Sequence, residues 1–366
     1  MSPAELTRES VMAALATVND PELHRDLVSL GMVKNVDLPE PGLVIVQVQL
    51  TTPACPLKGQ INRDIEEALG RLPGFQAVRV DFSANVSAGR GAQGPQAELA
   101  PGVRNIIGIA SGKGGVGKST VALNLSISLA KTGARVGLLD ADIYGPNIPT
   151  MMGLPVGQPP RVVDDKMVPI EKFGIKMISM GLLVPEDQPV IWRGPMLNSA
   201  LRQFFGDVHW GELDYLIVDL PPGTGDVQIS LVQLVQVTGC VIVSTPQTVS
   251  LQDAKKGLAM FHQTNTPVLG LIENMSYFIC PNCEERHNIF DTGGVERAAR
   301  ALELPFLGAI PIGLDVRSGG DDGEPITIAS PDSETSHKFL EIAQNLAGQV
   351  SVMNLNSPQG LEIKLG

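Results

Sequence analysis

Cysteine is scarce in this chain: four residues in 366, namely Cys55, Cys240, Cys280 and Cys283. That is too few for a disulfide scaffold, which a cytosolic chain rarely builds in any case. Positive charge is also short, with 27 Lys and Arg against 39 acids and a formal net charge of −12. A nucleic-acid binder needs a basic face to neutralise phosphates, so this balance argues against a nucleic-acid partner. No stretch approaches the ~18 consecutive apolar residues of a membrane span. The opening MSPAELTRES lacks the charged head and apolar core of a secretory signal. The closing LNSPQGLEIKLG has no basic amphipathic face for peripheral membrane binding. The expectation is a soluble, cytoplasmic chain with no membrane partner.

Hydrophobic residues make up 43% of the chain, enough for a sizeable core, and the length suits two or three domains. Residues 1–83 read as a small α/β domain. ELTRESVMAALATV is helix-like, and Asp20-Pro21 is placed to open a second short helix, the aspartate capping and the proline at the first helical position. LVIVQVQL and FQAVRVDF, rich in β-branched residues, read as strands on either side of the helix-like LKGQINRDIEEALGRL. Residues 84–102, rich in Gly, Ala, Ser and Pro, read as a linker. Over residues 103–350, short apolar strands such as RNIIGIA, RVGLLD, DYLIVDL and GCVIVST alternate with helical stretches. That pattern predicts an α/β fold, a mostly parallel sheet covered by helices on both faces. Ligands of such sheets sit at the carboxyl ends of the strands. Residues 351–366 read as a flexible tail.

Gly112 to Ser119 fit G-x-x-x-x-G-K-[ST], between the strand RNIIGIA and the helix-like STVALNLSISLA. That context is what a phosphate-binding loop requires. Gly112, Gly114, Gly115 and Gly117, with Lys113, Val116 and Thr120, form a loop whose N–H groups can face phosphates, with the helix dipole behind them. Lys118 is placed to reach the β- and γ-phosphates, and the Ser119 hydroxyl to bind Mg²⁺. Two further strand ends carry acids: LDAD gives Asp140 and Asp142, DLPPGTGD gives Asp219 and Asp226. A magnesium nucleotide site needs a carboxylate for the metal and a group to orient the attacking water. Asp219 suits the first role and Asp142 the second. Asp140 and Asp226 are as well explained as helix caps.

A second lysine, Lys113, stands near the start of the loop. KGGVGKST with that lysine resembles the deviant Walker A ATPases, a P-loop NTPase group that includes the Min and Par positioning ATPases and the Mrp/ApbC iron–sulfur carriers. By that resemblance Lys113 crosses a nucleotide-sandwich homodimer to the partner's phosphates, supplying a cation in trans. The alternative is a solvated lysine that steadies its own loop. LDADIYGPNIP and DLPPGTGD resemble the two switch segments of the Mrp/ApbC family, and ENMS supplies Asn274, whose counterpart reads adenine. CPNC resembles the family's metal-binding pair, and PIGLDVRSGGDDGEPI its C-terminal loop. DPEL, LVSLGMV and TTPACPLK resemble the MIP18 domain often fused ahead of these ATPases. FDTGG at Phe290 departs from an expected FGxGG and should alter a turn there.

A [4Fe–4S] cluster takes four thiolates, as does a Cys₄ zinc site. Cys280 and Cys283 offer two, and a two-fold dimer would make four. A redox dithiol, structural zinc and incidental thiols stay open on the residues alone. The resemblance implies ATP, Mg²⁺ and a [4Fe–4S] cluster as ligands, with apo iron–sulfur proteins as clients. The rival readings are a Min/Par-like positioning ATPase and a zinc-stabilised scaffold. Cys240 reads as a buried small hydrophobe. Cys55 precedes a helix, where the dipole favours a thiolate, and the resemblance tips it towards cluster handling. His287 lies near the cysteine pair and reads either as a ligand in one redox or metal state or, the commoner case, as a surface histidine. Met151 and Met152 read either as client contacts or as anchors of their loop.

Overall fold

The computed structural model describes residues 6–89, 99–142, 145–155, 159–182, 194–223 and 225–356. The chain divides into two units, Met1–Ser87 and Ala88–Gly366.

In the first unit, helix α1 (Arg8–Leu15) begins at Thr7, whose Oγ1 accepts from the Ser10 N–H at 3.2 Å. Two short strands, β1 (Asn19–Asp20) and β2 (Arg25–Asp26), pair antiparallel. Asp20-Pro21 therefore opens a turn between them and not a helix. Four residues separate the strands, and Asp20 Oδ1 satisfies the turn by accepting from the Glu22 and Leu23 N–H groups, both at 2.9 Å. Next come β3 (Val33–Glu40), β4 (Leu43–Leu50), helix α2 (Lys58–Gly70) and β5 (Ala77–Ala84). β4 pairs antiparallel with β3 and parallel with β5. Alternation in β4 sends Val44, Val46, Val48 and Leu50 inward, where Ile61, Ile65 and Leu69 of α2 meet them at helical spacing. Each such side chain removed from water contributes about 1.5–3 kcal/mol. The ladder runs past the expected boundary at residue 83: Ala84 still pairs with Leu50, and the Asn85 N–H donates to the Leu50 carbonyl at 2.9 Å.

The second unit opens with β6 (Ile106–Ala110), α3 (Lys118–Lys131), β7 (Val136–Asp140) and α4 (Ile148–Met151). A small hairpin of β8 (Val162–Val163) and β9 (Lys166–Met167) follows, then β10 (Ile170–Lys172), β11 (Ile175–Ser179) and α5 (Gly194–Gly206). After these come β12 (Tyr215–Asp219), α6 (Asp226–Leu234), β13 (Gly239–Ser244), α7 (Thr248–Gln263) and β14 (Val268–Glu273). The unit closes with β15 (Phe278–Ile279), β16 (Arg286–His287), α8 (Gly294–Ala301), β17 (Phe306–Ala309), α9 (Leu314–Asp321), α10 (Ile326–Ala329) and α11 (Glu334–Asn356). The eight-stranded sheet has the order β10-β11-β7-β12-β6-β13-β14-β17. Every pairing is parallel except that of the edge strand β10 with β11. The central strands β6, β7, β12 and β13 are buried along their whole length, as their unbroken apolar runs predict.

Two boundaries differ from the sequence expectation. The end of the predicted linker already belongs to the second core, since Ala100 is buried with Val103. The predicted tail from residue 351 begins as helix. α11 runs to Asn356 because Phe339, Ile342, Leu346 and Val350 keep a helical stripe buried, and Ser351, also buried, donates its hydroxyl to the Ala347 carbonyl at 3.0 Å. Residues 357–366 lie outside the described residues.

Candidate functional site

The carboxyl ends of the central strands converge on one place. In register, Asp219 of β12 lies opposite Asp140 of β7 on one side and Ile109 of β6 on the other. β6 leads into the loop 111–117, and α3 starts at Lys118. Gly117 caps that helix at φ +79°, a left-handed conformation a side chain resists, and a Cβ there would stand 2.2 Å from Asn274 Nδ2. Gly112 is needed for close approach: a Cβ would fall 2.3 Å from the backbone of Asp253 in α7. At Gly114 and Gly115 a Cβ would meet nothing, so the open side of the loop is free to receive a ligand.

A cavity of about 340 Å³ lies over this loop. Lys113, Gly114, Gly115, Gly117, Lys118, Ser119, Thr120 and Asp142 line it, together with Ser111, Asn147, Thr150, Met151, Pro222, Gly320 and Asp321. Val116 is buried beneath, and its carbonyl accepts from Asn274 Nδ2 at 2.8 Å. Asn274 thus braces the loop from behind, positioned by its own N–H bond to the Ser244 carbonyl.

Four charged groups of the site, Lys118, Asp140, Asp142 and Asp219, are buried. Lys118 Nζ donates to Asp219 Oδ1 at 2.6 Å, lies 3.6 Å from Asp142 Oδ2 and reaches Ser119 Oγ at 3.3 Å. Asp140 sits deeper, its Oδ2 accepting from the Ser179 hydroxyl at 2.8 Å and the Ile148 N–H at 3.3 Å. Burial, reinforced by the negative charge of Asp219, pushes Asp140 up to about 8. Lys118 therefore faces two carboxylates, Asp219 and Asp142, while Asp140 beside them is pushed towards its neutral form. Asp142 Oδ1 and Asp219 Oδ2 are buried without a hydrogen-bond partner among the described residues. Unmet acceptors of that kind are costly unless a cation or its water completes them. The donor set, all oxygen, suits Mg²⁺.

The cysteine pair occupies the tip of the β15–β16 hairpin, where Phe278 pairs with His287 and Ile279 with Arg286. The turn is closed by the Cys280 N–H to the Glu285 carbonyl at 3.0 Å and the Glu284 N–H to the Cys280 carbonyl at 2.8 Å. Cys280 is half-buried and Cys283 exposed. The N–H groups of Asn282 and Cys283, with the Cys283 side chain, hold the Cys280 thiol below its ordinary range.

The other two thiols are different. Cys240 lies fully inside β13, and burial pushes its pKa up to about 12. Cys55 packs in the core of the first unit and is pushed up to about 11, so burial outweighs the helix dipole that the sequence suggested would activate it. Met152 is fully buried and anchors its loop, whereas Met151 walls the cavity. Asp226 is the first residue of α6. Asp291, where the FGxGG pattern has glycine, keeps the glycine-like backbone at φ +71°, and its Oδ1 accepts from the Thr292 N–H at 2.8 Å.

Sequence reasoning missed the cavity walls at Asn147, Thr150, Gly320 and Asp321, although two of the motifs contain Asn147, Gly320 and Asp321 and Thr150 directly follows the first. It also missed Glu273. This buried acid, next to Asn274, accepts from the Gly293 and Val295 N–H groups, both at 2.8 Å, and so caps α8. An acid at a strand end was the available signal.

Comparison with known proteins agrees with this geometry. Residues 102–347 match the NUBPL iron-transfer P-loop NTPase family, and residues 8–82 match a family described as iron-sulfur cluster assembly protein. An iron-sulfur cluster carrier protein of Deinococcus radiodurans is 51% identical over 97% of this chain and 99% of its own length. One of Synechocystis is 50% identical over 96% of this chain and 99% of its own. Among solved structures, a nucleotide-binding protein of Archaeoglobus fulgidus in complex with ADP is 40% identical, with a TM-score of 0.56 over 63% of this chain and 90% of that one. No described helix is long and apolar enough to cross a membrane. With its phosphate loop, its strand-end acids and a match over most of its length, this chain belongs to the NUBPL iron-transfer P-loop NTPases.

Proposed function

We propose that this protein is an ATP-hydrolysing carrier that holds an iron–sulfur cluster between two copies of the chain and passes it to apoproteins. The observation that carries this reading is the hairpin tip. It presents two thiols outward, one of them favoured as thiolate, in the unit that also contains the nucleotide cavity. Two thiols are half of what a [4Fe–4S] cargo needs, and a second copy supplies the rest. The relatives' names support a carrier over a positioning ATPase.

In the nucleotide half, the loop N–H groups and the N-terminus of α3 cradle the phosphates. Ser119 Oγ and Asp219 would hold Mg²⁺, which when bound neutralises charge on the β- and γ-phosphates. Lys118 Nζ donates to the phosphate oxygens. Asp142 orients the attacking water through its unpartnered Oδ1. That water adds to the γ-phosphorus, the bond to the ADP oxygen breaks with its electron pair, and phosphate leaves. Lys113 lines the cavity and makes no ion pair among the described residues, which suits a cation offered to the partner's nucleotide. Asn274 would select adenine.

The test is anaerobic reconstitution with iron and sulfide, wild type beside a Cys280→Ala/Cys283→Ala variant. The expected result is about four irons per two chains, a dimer by sedimentation, and transfer to an apo acceptor, all lost in the variant. A strictly monomeric protein that still holds the cluster, or a variant that keeps its iron, overturns the reading.

A further inference from the structure

The cysteine hairpin carries more donor chemistry than its two sulfurs. The chain turns through Cys283, and Glu284 takes a left-handed φ of +59°, before the strand β16 begins at Arg286. Arg286 and His287 are neighbours in β16 and so point to opposite faces, and the Arg286 guanidinium is held 3.7 Å from the centre of the Tyr277 ring. With the turn folding back, Cys283 Sγ, a Glu285 carboxylate oxygen and a His287 ring nitrogen all lie within 4.8 Å of one another. His287 Nε2 and Glu285 Oε2 are 3.8 Å apart. In a tetrahedral site with bonds of about 2.0–2.3 Å, ligand atoms stand roughly 3.3–3.8 Å apart. Small rotations of three exposed side chains on a hydrogen-bonded hairpin are enough to close the set.

We propose that each single chain has its own mononuclear metal site, in which Cys283, Glu285 and His287 bind a divalent ion of the zinc class. A thiolate, an imidazole and a carboxylate gathered within 4.8 Å are donors such an ion takes, and a fourth position is left open. This site is distinct from a cluster bridging two chains: it needs no second copy and uses two donors that lie outside the C-x-x-C pair. It shares Cys283 with the bridging cluster, so the two modes exclude each other. That last consequence, and it alone, rests on the cluster-carrier reading above.

Cobalt(II) is the probe, added anaerobically to the full-length apo protein, because thiolate-to-cobalt absorption reports a sulfur ligand and visible bands report a tetrahedral site. The expected result is one cobalt per chain in a monomeric sample. Affinity should fall by about 10–100-fold or more in His287→Ala and in Glu285→Gln, and thiolate absorption should be lost in Cys283→Ser. Cys280→Ser should bind cobalt within about threefold of wild type. If His287→Ala and Glu285→Gln bind like wild type while Cys280→Ser does not, the ion belongs to the cysteine pair and the proposal fails. One cobalt per two chains overturns it equally. Zinc pre-loading should then slow cluster reconstitution in wild type and not in His287→Ala, which still reconstitutes. A protein that binds cobalt as described but never forms a cluster leaves this site standing and removes the carrier reading instead.

Discussion

The nucleotide pocket and the cysteine hairpin belong to one compact unit and are built on opposite plans. The pocket is over-determined. Asp140, Asp142 and Asp219 are inside, Lys118 is paired, and the loop is braced from behind by Asn274. The hairpin is minimal: two short strands, two turn hydrogen bonds, and donors facing solvent. A catalytic centre must be in place before its substrate arrives, so its charges are fixed at buried strand ends. A site that receives and releases cargo needs reach and exposure, and it leaves part of the ligand set to another molecule.

The sharpest way to break this contrast is Lys118→Ala. It strands Asp219 and Asp142 inside the fold, so stability should fall by about 3–5 kcal/mol and phosphate release by about 10²–10³-fold. Denaturant unfolding and a turnover assay read the two effects separately. By contrast, Cys280→Ala/Cys283→Ala should lose bound iron altogether and change unfolding free energy by no more than about 0.5 kcal/mol. A cysteine variant that melts as early as Lys118→Ala would abolish the distinction.

Two further variants sharpen it with structural charges near each region. Asp214 precedes β12, the strand that ends in Asp219, and accepts from the backbone N–H, Nε and Nη2 of Arg135. Burial works to raise its pKa, but the Arg135 bonds outweigh it and hold Asp214 below the ordinary range. A depressed carboxylate contributes stability above its unfolded pKa, near 4, and that stability is lost as pH falls through the folded value. Asp214→Asn should therefore cost about 1–2 kcal/mol at neutral pH, and less as the pH drops below 4. Unfolding at pH 7 and pH 3 checks it; an equal cost at both would mean the charge contributes nothing. The smallest effect should come from Asp291→Gly. Relief of a left-handed aspartate should stabilise by about 0.5 kcal/mol after the added unfolded-state freedom of glycine is counted. Thermal unfolding would show it, and a destabilised variant would mean that the Asp291 bond to Thr292 matters more than its backbone.

How far the sequence foretold these regions follows the same division. The phosphate loop was legible because its requirements are contiguous: strand, glycines, lysine and helix stand in line. The unbroken apolar runs of β6, β7, β12 and β13 announced a sheet covered on both faces, and the acids at their ends followed. What stayed hidden was long-range. Nothing local tells Lys118 that it will pair with Asp219, 101 positions away, or Ser179 that it will donate to Asp140. The edge strand β10 and the turn at Asp20-Pro21 were missed because short segments carry too little periodicity to outvote their neighbours. Cys55 misled for a related reason. A helix start favours a thiolate, but only tertiary burial decides whether one can exist there.

One strand end joins what the contrast separates. Glu273 and Asn274 are consecutive, and they hold different things: the first grips the start of the helix that follows the cysteine segment, the second the floor of the phosphate loop. A single peptide bond is thus the fulcrum between them. If nucleotide draws the Val116 carbonyl aside, the recoil arrives one residue later at the amides of Gly293 and Val295. Their deuterium uptake, followed with and without nucleotide, would record whether the lever moves.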